Sequence, residues 1–285
     1  MQESDEARVQ QLLGRLEIPP CPAILASLTE EMGRPNASAN RIIELISLDV
    51  ALAAGVIKCA NSPLFGGSRV GSIKQALQFL GFKNVLNLVV SEVLRKSLSS
   101  TRQQAIMPRF WDNATYSAGV CAWLAATFPG TQHDTAYTFG LFRDCGIPIL
   151  MRRFADYRDT LKAANALGEG LFTRVEDERH GTSHAVVGHL LLRNWGMPAT
   201  VRDAILFHHE YGICVEDRLD KEASTLIGIG LVAERTVNLF LRVREDGEWA
   251  KGKGPVAEFF GISQAELEDV ANDLLDRLES RRKAA

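Results

Sequence analysis

Apolar residues recur at helical spacing along nearly the whole 285-residue chain, and this pattern restricts the fold to packed helices. Near the C-terminus, Leu267, Val270, Ala271, Leu274, Leu275 and Leu278 fall on one helix face, and Ser263 with Glu266 forms a capping box ahead of them. A second pattern runs from Ser38 through Ile42, Ile43, Leu45 and Ile46. Asp49 is placed to cap a helix through Leu52, Val56 and Ile57, and Ser72 to cap one over Ile73–Leu80 that Gly81 breaks. Further helices are predicted over Val85–Leu94, Phe110–Phe128, Thr135–Asp144, Ser183–Asn194, Thr200–Phe207 and Glu222–Leu241. No tract alternates polar and apolar residues between turn signals, so strands are not expected.

Two breaks interrupt the pattern. Ser97–Pro108 is polar and ends in proline, which marks a connection. Gly247–Gly254 (GEWAKGKG) is rich in glycine and lysine and reads as an exposed loop. The expected architecture is all-α, a multi-helix bundle of two packed lobes, roughly 1–100 and 101–285. A net charge of -3 gives no general pull toward nucleic acid or an anionic membrane. The one dense basic run, Arg281-Arg282-Lys283, reads as a solvated C-terminal tail.

The longest apolar stretch, Ala118–Phe128, is too short to span a bilayer, and the polar N-terminus is no secretory signal. The five cysteines are scattered with no CxxC, which argues against a disulfide framework or a zinc ribbon. Reduced thiols in a cytoplasmic protein follow. Cys145 reads as a small core residue rather than a nucleophile, and Trp111, Trp123 and Trp195 as core anchors. Trp249 reads either as an exposed contact residue or as one folded back onto its lobe. His180 and His184 have the i, i+4 spacing of zinc-binding helices, but Gly181 stands where the glutamate belongs and reads as a helix start. His189 is offset five residues from His184 and points elsewhere, and His133 sits in a polar stretch.

Several stretches, in order, resemble the HDOD family, a group related to HD-domain phosphohydrolases. They are IPPCPAIL at 18–25, RIIELISLDVALAAGVIKCANSPLFG at 41–66 and IKQALQFLGFKNV at 73–85. Then come FW at 110–111, AYTFGLFRDCGIPIL at 136–150, HGTSHAVVGHLLLRNWGMP at 180–198 and AILFHHE at 204–210. The resemblance covers about residues 15–240 and implies an all-α fold with an HD-like second lobe. Within it, Asn61-Ser62-Pro63 is suited to end a helix, since proline keeps the preceding residue out of α geometry. A structural role accounts for Asn61 and Ser62. The functional alternative makes this turn a partner-binding surface, with Leu64 and Phe65 exposed.

The resemblance also implies a metal site and shows it altered. HD phosphohydrolases hold divalent ions through a His-Asp pair, further histidines and an acidic residue. Here the pair reads Arg143-Asp144, and Asn113 stands where a histidine is expected after Trp111. Arginine stays protonated and has no acceptor, so it cannot serve as a ligand. His184, His208 and His209 match family histidines, and Glu234 is aligned loosely with the last acidic position. The expectation is a vestigial pocket of Asn113, Arg143, Asp144, His184, His208, His209 and Glu234, with Arg143 paired to Asp144 or Glu234 and no metal or other cofactor. A variant of this expectation has Arg143 recruiting an anion to the pocket.

By resemblance the chain is a non-catalytic signalling module that binds other signalling proteins. The HDOD-like stretch nearly fills it, which points to a separate partner protein. A metal-dependent phosphohydrolase and a sensor binding a nucleotide or phosphate are the alternatives. The D-G-x-G-Y-P run of cyclic di-GMP hydrolases is missing after His208-His209, where Glu210-Tyr211-Gly212 stands.

Overall fold

A computed structural model describes residues 16–32, 34–65, 70–98, 107–243 and 246–284. Among these residues every regular element is helical, as the spacing predicts, and there is no strand. The chain divides into two units, described separately below: residues 21–98 with 276–284, and residues 16–20 with 107–275.

The first unit contains α1 (Ala23–Met32), α2 (Ala39–Ser47), α3 (Val50–Ala60), α4 (Ile73–Leu80) and α5 (Phe82–Leu98). Three side-chain caps open its helices, two of them, Asp49 and Ser72, anticipated from sequence. Ser38, Asp49 and Ser72 accept the backbone N–H groups of Arg41, Leu52 and Gln75. Each sits where an extended backbone turns helical. The amphipathic faces of α2 and α4 then converge with α3 and α5 on a core that includes Leu28, Ile42, Ile46, Leu52, Val56 and Leu88. Asn61 is clasped to Val70. Its side-chain amide donates to the Val70 carbonyl, and its Oδ1 accepts the Val70 N–H, both at 2.9 Å.

This arrangement corrects the expectation of an exposed turn. Leu64 is 2% exposed, and Phe65 packs partly buried against the core. Burial removes Leu64 from the expected surface, and the clasp gives Asn61 a structural role, while Asn61, Ser62 and Phe65 remain partly accessible. The basic run is helical, not frayed, although Arg282 and Lys283 are exposed as expected. The last helix continues through it, and the Arg281 guanidinium donates to the Leu64 carbonyl.

The second unit contains α6 (Pro108–Thr127), α7 (His133–Phe142), α8 (Gly146–Arg153), α9 (Tyr157–Asn165), α10 (Phe172–His180), α11 (His184–Asn194), α12 (Ala199–Phe207), α13 (Lys221–Phe240) and α14 (Gly247–Phe260), and α15 (Gln264–Ala284) begins in it. Pro108 opens α6, where its missing N–H costs nothing. α13 is buried along most of its length and packs against α6, α7, α12 and α14. The predicted capping box at α15 is present: Ser263 and Glu266 exchange side chain-to-backbone hydrogen bonds.

The stretch expected to be an exposed loop, Gly247–Gly254, is the first half of α14. Asp246 caps it by accepting the Trp249 N–H. Trp249 is 5% exposed, and its Nε1–H donates to Glu268 at 2.7 Å, so it folds back onto its own unit. The glycines that suggested flexibility serve close approach instead. A Cβ on Gly252 would lie 2.6–2.7 Å from Leu231 and Tyr211. All five cysteines are free thiols, and among the described residues no helix is long and apolar enough to cross a membrane.

Candidate functional site

Four side chains from three loop–helix junctions of the second unit meet at one point. α7 ends at Phe142, and Arg143 and Asp144 occupy the turn before α8. His184 is the first residue of α11, where Ser183 caps the helix by accepting the Val186 N–H. His208 and His209 follow the last residue of α12. α8 can press against the start of α11 because residue 146 is glycine. A Cβ there would lie 2.1 Å from the His184 carbonyl oxygen. His184 Nε2 is 3.2 Å from Nε2 of both His208 and His209. Asp144 Oδ1 is 3.5 Å from Nε2 of His184 and of His208, and all four donor atoms lie within 4.8 Å of one another.

The other ring nitrogen of each histidine faces an acceptor. His184 Nδ1 lies 2.7 Å from Glu176 Oε2, His208 Nδ1 2.7 Å from the Ile205 carbonyl, and His209 Nδ1 2.6 Å from Glu248 Oε2. Carboxylate and carbonyl oxygens only accept, so each Nδ1 carries the hydrogen. In the neutral rings all three Nε2 lone pairs therefore point into the cluster. Glu176 is fixed in turn by Tyr157 Oη–H and by the His184 backbone N–H, and Glu248 by Tyr211 Oη–H and Lys251 Nζ. Phe172 stacks on the His209 ring and meets His184 edge-on, closing the apolar side.

The electrostatics divide the site. Burial, joined by the neighbouring His209, lowers the His208 pKa to about 3 and keeps that ring neutral. Burial also lowers His209, against the pull of Glu248. At His184 burial is outweighed by Glu176, and the pKa is raised. On the opposite side, Arg143 donates through Nε and Nη2 to Asp144 Oδ2 at 3.4 and 3.2 Å, and through Nη1 to the Gly230 carbonyl at 3.1 Å. The same Nη1 is 3.1 Å from Glu234 Oε2, an ion contact without an aligned hydrogen bond. Burial opposes the charge of Asp144, yet Arg143 and His208 hold its pKa well below the ordinary carboxylate range. Glu234 goes the other way, raised by burial to about 7 despite Arg143.

The structure thus brings together Arg143, Asp144, His184, His208, His209 and Glu234. Asn113, half-buried on α6, takes part in none of the hydrogen bonds that hold the group. His180 lies outside it, 2.8 Å from the Thr160 hydroxyl, and Gly181 (φ 70°) ends α10 instead of starting a helix. His189 meets the Arg202 carbonyl, and His133 is exposed at the start of α7. Sequence reasoning missed Glu176 and Glu248, which no residue pattern marks. His209 also lines a cavity of about 350 Å³ with Leu171, Tyr211, Arg218 and Lys251.

Tested against a metal, the donors fit one ion. Three imidazole nitrogens and a carboxylate oxygen converge, and each imidazole is oriented by a hydrogen bond from its far nitrogen. They do not fit two, because the remaining carboxylates are occupied by a guanidinium.

Comparison with known proteins gives a consistent family and fold. The HDOD domain model matches residues 18–211. An uncharacterised protein of Treponema pallidum (strain Nichols) is 27% identical over 274 residues, covering 94% of this chain and 51% of that protein. The chain thus spans about half the length of that relative. Among solved structures, an HDOD domain protein of unknown function from Geobacter sulfurreducens superposes with a TM-score of 0.67 at 17% identity, over 100% of this chain and 99% of that one. A Shewanella amazonensis SB2B protein named as a phosphohydrolase gives 0.69 at 23% identity, over 96% and 98%. A Marinobacter aquaeolei VT8 protein named for signal transduction gives 0.72 at 23%, over 95% and 59%. At these identities the structures establish the fold alone.

Proposed function

The chain belongs to the HDOD family, and from that premise we propose that it is a signal-transduction module that acts by binding another protein and not by hydrolysing a phosphate ester. The observation that carries this proposal is Arg143. Two-metal hydrolysis needs a second cation that activates water and clamps the opposite side of the phosphate. The Arg143 guanidinium sits against both Asp144 and Glu234, the carboxylates available for such an ion. It supplies positive charge there, but it has no coordination site and generates no hydroxide. Asn113 adds no imidazole to replace what Arg143 displaces. On the binding side, Leu48 and Val50 flank the Asp49 cap of the first unit and are each 80% exposed, which offers apolar area to a partner.

A second reading, metal-dependent hydrolysis of a phosphate ester, is favoured by the convergence of Asp144 with His184, His208 and His209. A metal held there would polarise a bound oxygen; this chain's own part is to orient the imidazoles through Glu176 and Glu248. The two readings separate in one assay: turnover of bis-p-nitrophenyl phosphate and of cyclic dinucleotides with manganese or zinc. The signalling proposal expects none above the buffer rate. Metal-dependent turnover that disappears in Asp144→Ala overturns it.

A further inference from the structure

We infer that the cavity of the second unit walled by residues 170–171, the 210–218 segment and α14 binds a small zwitterion of the amino-acid class, with Arg218 and Lys251 receiving its carboxylate and Glu210 its ammonium. The inference goes beyond the signalling proposal and does not rest on it.

The cavity is separate from the donor atoms of the histidine cluster. Asp144, His184 and His208 do not wall it. The His209 ring does, but both its nitrogens are committed elsewhere, Nδ1 to Glu248 and Nε2 toward His184. The volume of about 350 Å³ lies at the low end of the ~300–1,000 Å³ range of small-molecule sites. That admits an amino acid and leaves little room for a dinucleotide.

Three observations set the chemistry of the ligand. The first is unspent donors. Among the described residues Arg218 gives one guanidinium N–H to Glu216 Oε2, and Lys251 one ammonium N–H to Glu248 Oε1, each at 3.0 Å. A guanidinium has five such hydrogens and an ammonium three, so both cations keep donors for a carboxylate. The second is an unspent acceptor. The Glu210 carboxylate, partly buried, makes no hydrogen bond or ion pair with any described residue. Burial raises its pKa against the pull of Arg218, and Glu216 adds to the rise. An ammonium placed there supplies the missing partner. The third is balance. Glu210 and Glu216 match Arg218 and Lys251, so the wall holds no surplus positive charge for a phosphate dianion, and its two carboxylates repel one. Leu171, 39% exposed, and Ile213 offer apolar contact to a side chain such as that of leucine.

Isothermal titration calorimetry of the full chain tests the assignment with the free L-amino acids, leucine first, and with the dipeptide leucyl-leucine. The two arms separate a free amino acid from a peptide as the source of the zwitterion. The expected result is saturable one-to-one binding of at least one of these probes. For the probe that binds, N-acetylation and amidation should each weaken binding at least ~10-fold, because each removes a charged hydrogen-bond partner. Glu210→Gln should weaken the parent probe and leave its N-acetyl form unchanged. Arg218→Met should weaken the parent about 2–5-fold, since Arg218 is 63% exposed, and leave the amide unchanged. A variant that merely failed to fold would lose parent and blocked forms alike. Inorganic phosphate and guanosine monophosphate are the counter-probes. Saturable binding of either with no zwitterion bound overturns the assignment in favour of an anion site. Equal affinity for the parent and both blocked forms overturns the charge pairing, and no saturable binding of any probe overturns the inference outright.

Discussion

Arg143 donates to Asp144 and the Gly230 carbonyl and lies in ion contact with Glu234, and its two carboxylate partners are partly open to water: the Asp144 and Glu234 side chains are 29% and 22% exposed. Arg143→Met would leave both without their cation. Breaking a fully buried pair costs about 3–5 kcal/mol, and the solvent access here places the loss below that range. Urea denaturation of the variant checks it, and an unchanged midpoint would show that the guanidinium is not compensating those charges. Arg143, Asp144 and the three histidines were legible in sequence because they fall at positions that resemble a family pattern. Glu176 and Glu248 were not. Glu176 sits in the polar run Phe172–His180, and Glu248 in a glycine-rich stretch. Which carboxylate receives a histidine Nδ1–H is decided by how α10 and α14 pack, and that leaves no local trace.

Helices with a side-chain cap and a clear apolar stripe were readable, and Asp49 shows why. It accepts the Leu52 N–H at 2.9 Å and is also bonded to Lys96 Nζ. Asp49→Ala should therefore destabilise the chain by about 1 kcal/mol at pH 7, the usual loss for an N-cap. The Lys96 hydrogen bond, then the Leu52 one, lower the Asp49 pKa below its ordinary 3.8. A lowered carboxylate stabilises above its unfolded-state pKa, and that contribution is lost as pH falls through the folded-state value. The difference between the unmodified chain and Asp49→Ala should shrink below pH ~4, where the unfolded carboxylate begins to protonate. A difference in urea midpoint that is equal at pH 7 and pH 3 would refute a charged cap. The elements missed from sequence lacked at least one of these signals; α14 has its cap in Asp246 but no clear stripe. α10 buries only Phe172 and Glu176 and has no side-chain cap. α14 carries glycines because Leu231 and Tyr211 leave no room for a Cβ, and composition alone cannot distinguish that from flexibility.

At the scale of the whole chain, the family match ends at residue 211, but the second unit does not. α13 lies beyond that boundary and buries Leu226, Ile227, Ile229, Leu231, Val232, Val237 and Phe240, among others, against α6, α7, α12 and α14. Burying one such side chain is worth about 1.5–3 kcal/mol, so seven contribute roughly 10–21 kcal/mol of gross burial, enough to matter to a domain whose net stability is about 5–15 kcal/mol. The site depends on the same segment. Arg143 would lose Glu234 and the Gly230 carbonyl with α13, and His209 would lose Glu248 with α14. The periodicity over Glu222–Leu241 announced α13 from sequence, yet its central position was not legible, because an all-round apolar helix reveals burial without revealing its neighbours. A chain ending at residue 211 should consequently retain helical far-UV dichroism from the first unit and from local helices, but lose the near-UV signal of packed Trp111 and Trp195. A chain ending at residue 262, which keeps α13 and α14 and loses only α15, should retain the histidine cluster with its Glu248 support. If the chain ending at 211 unfolds cooperatively with native near-UV dichroism, the matched segment is a self-sufficient domain and α13 is an accessory helix, contrary to the packing described for it.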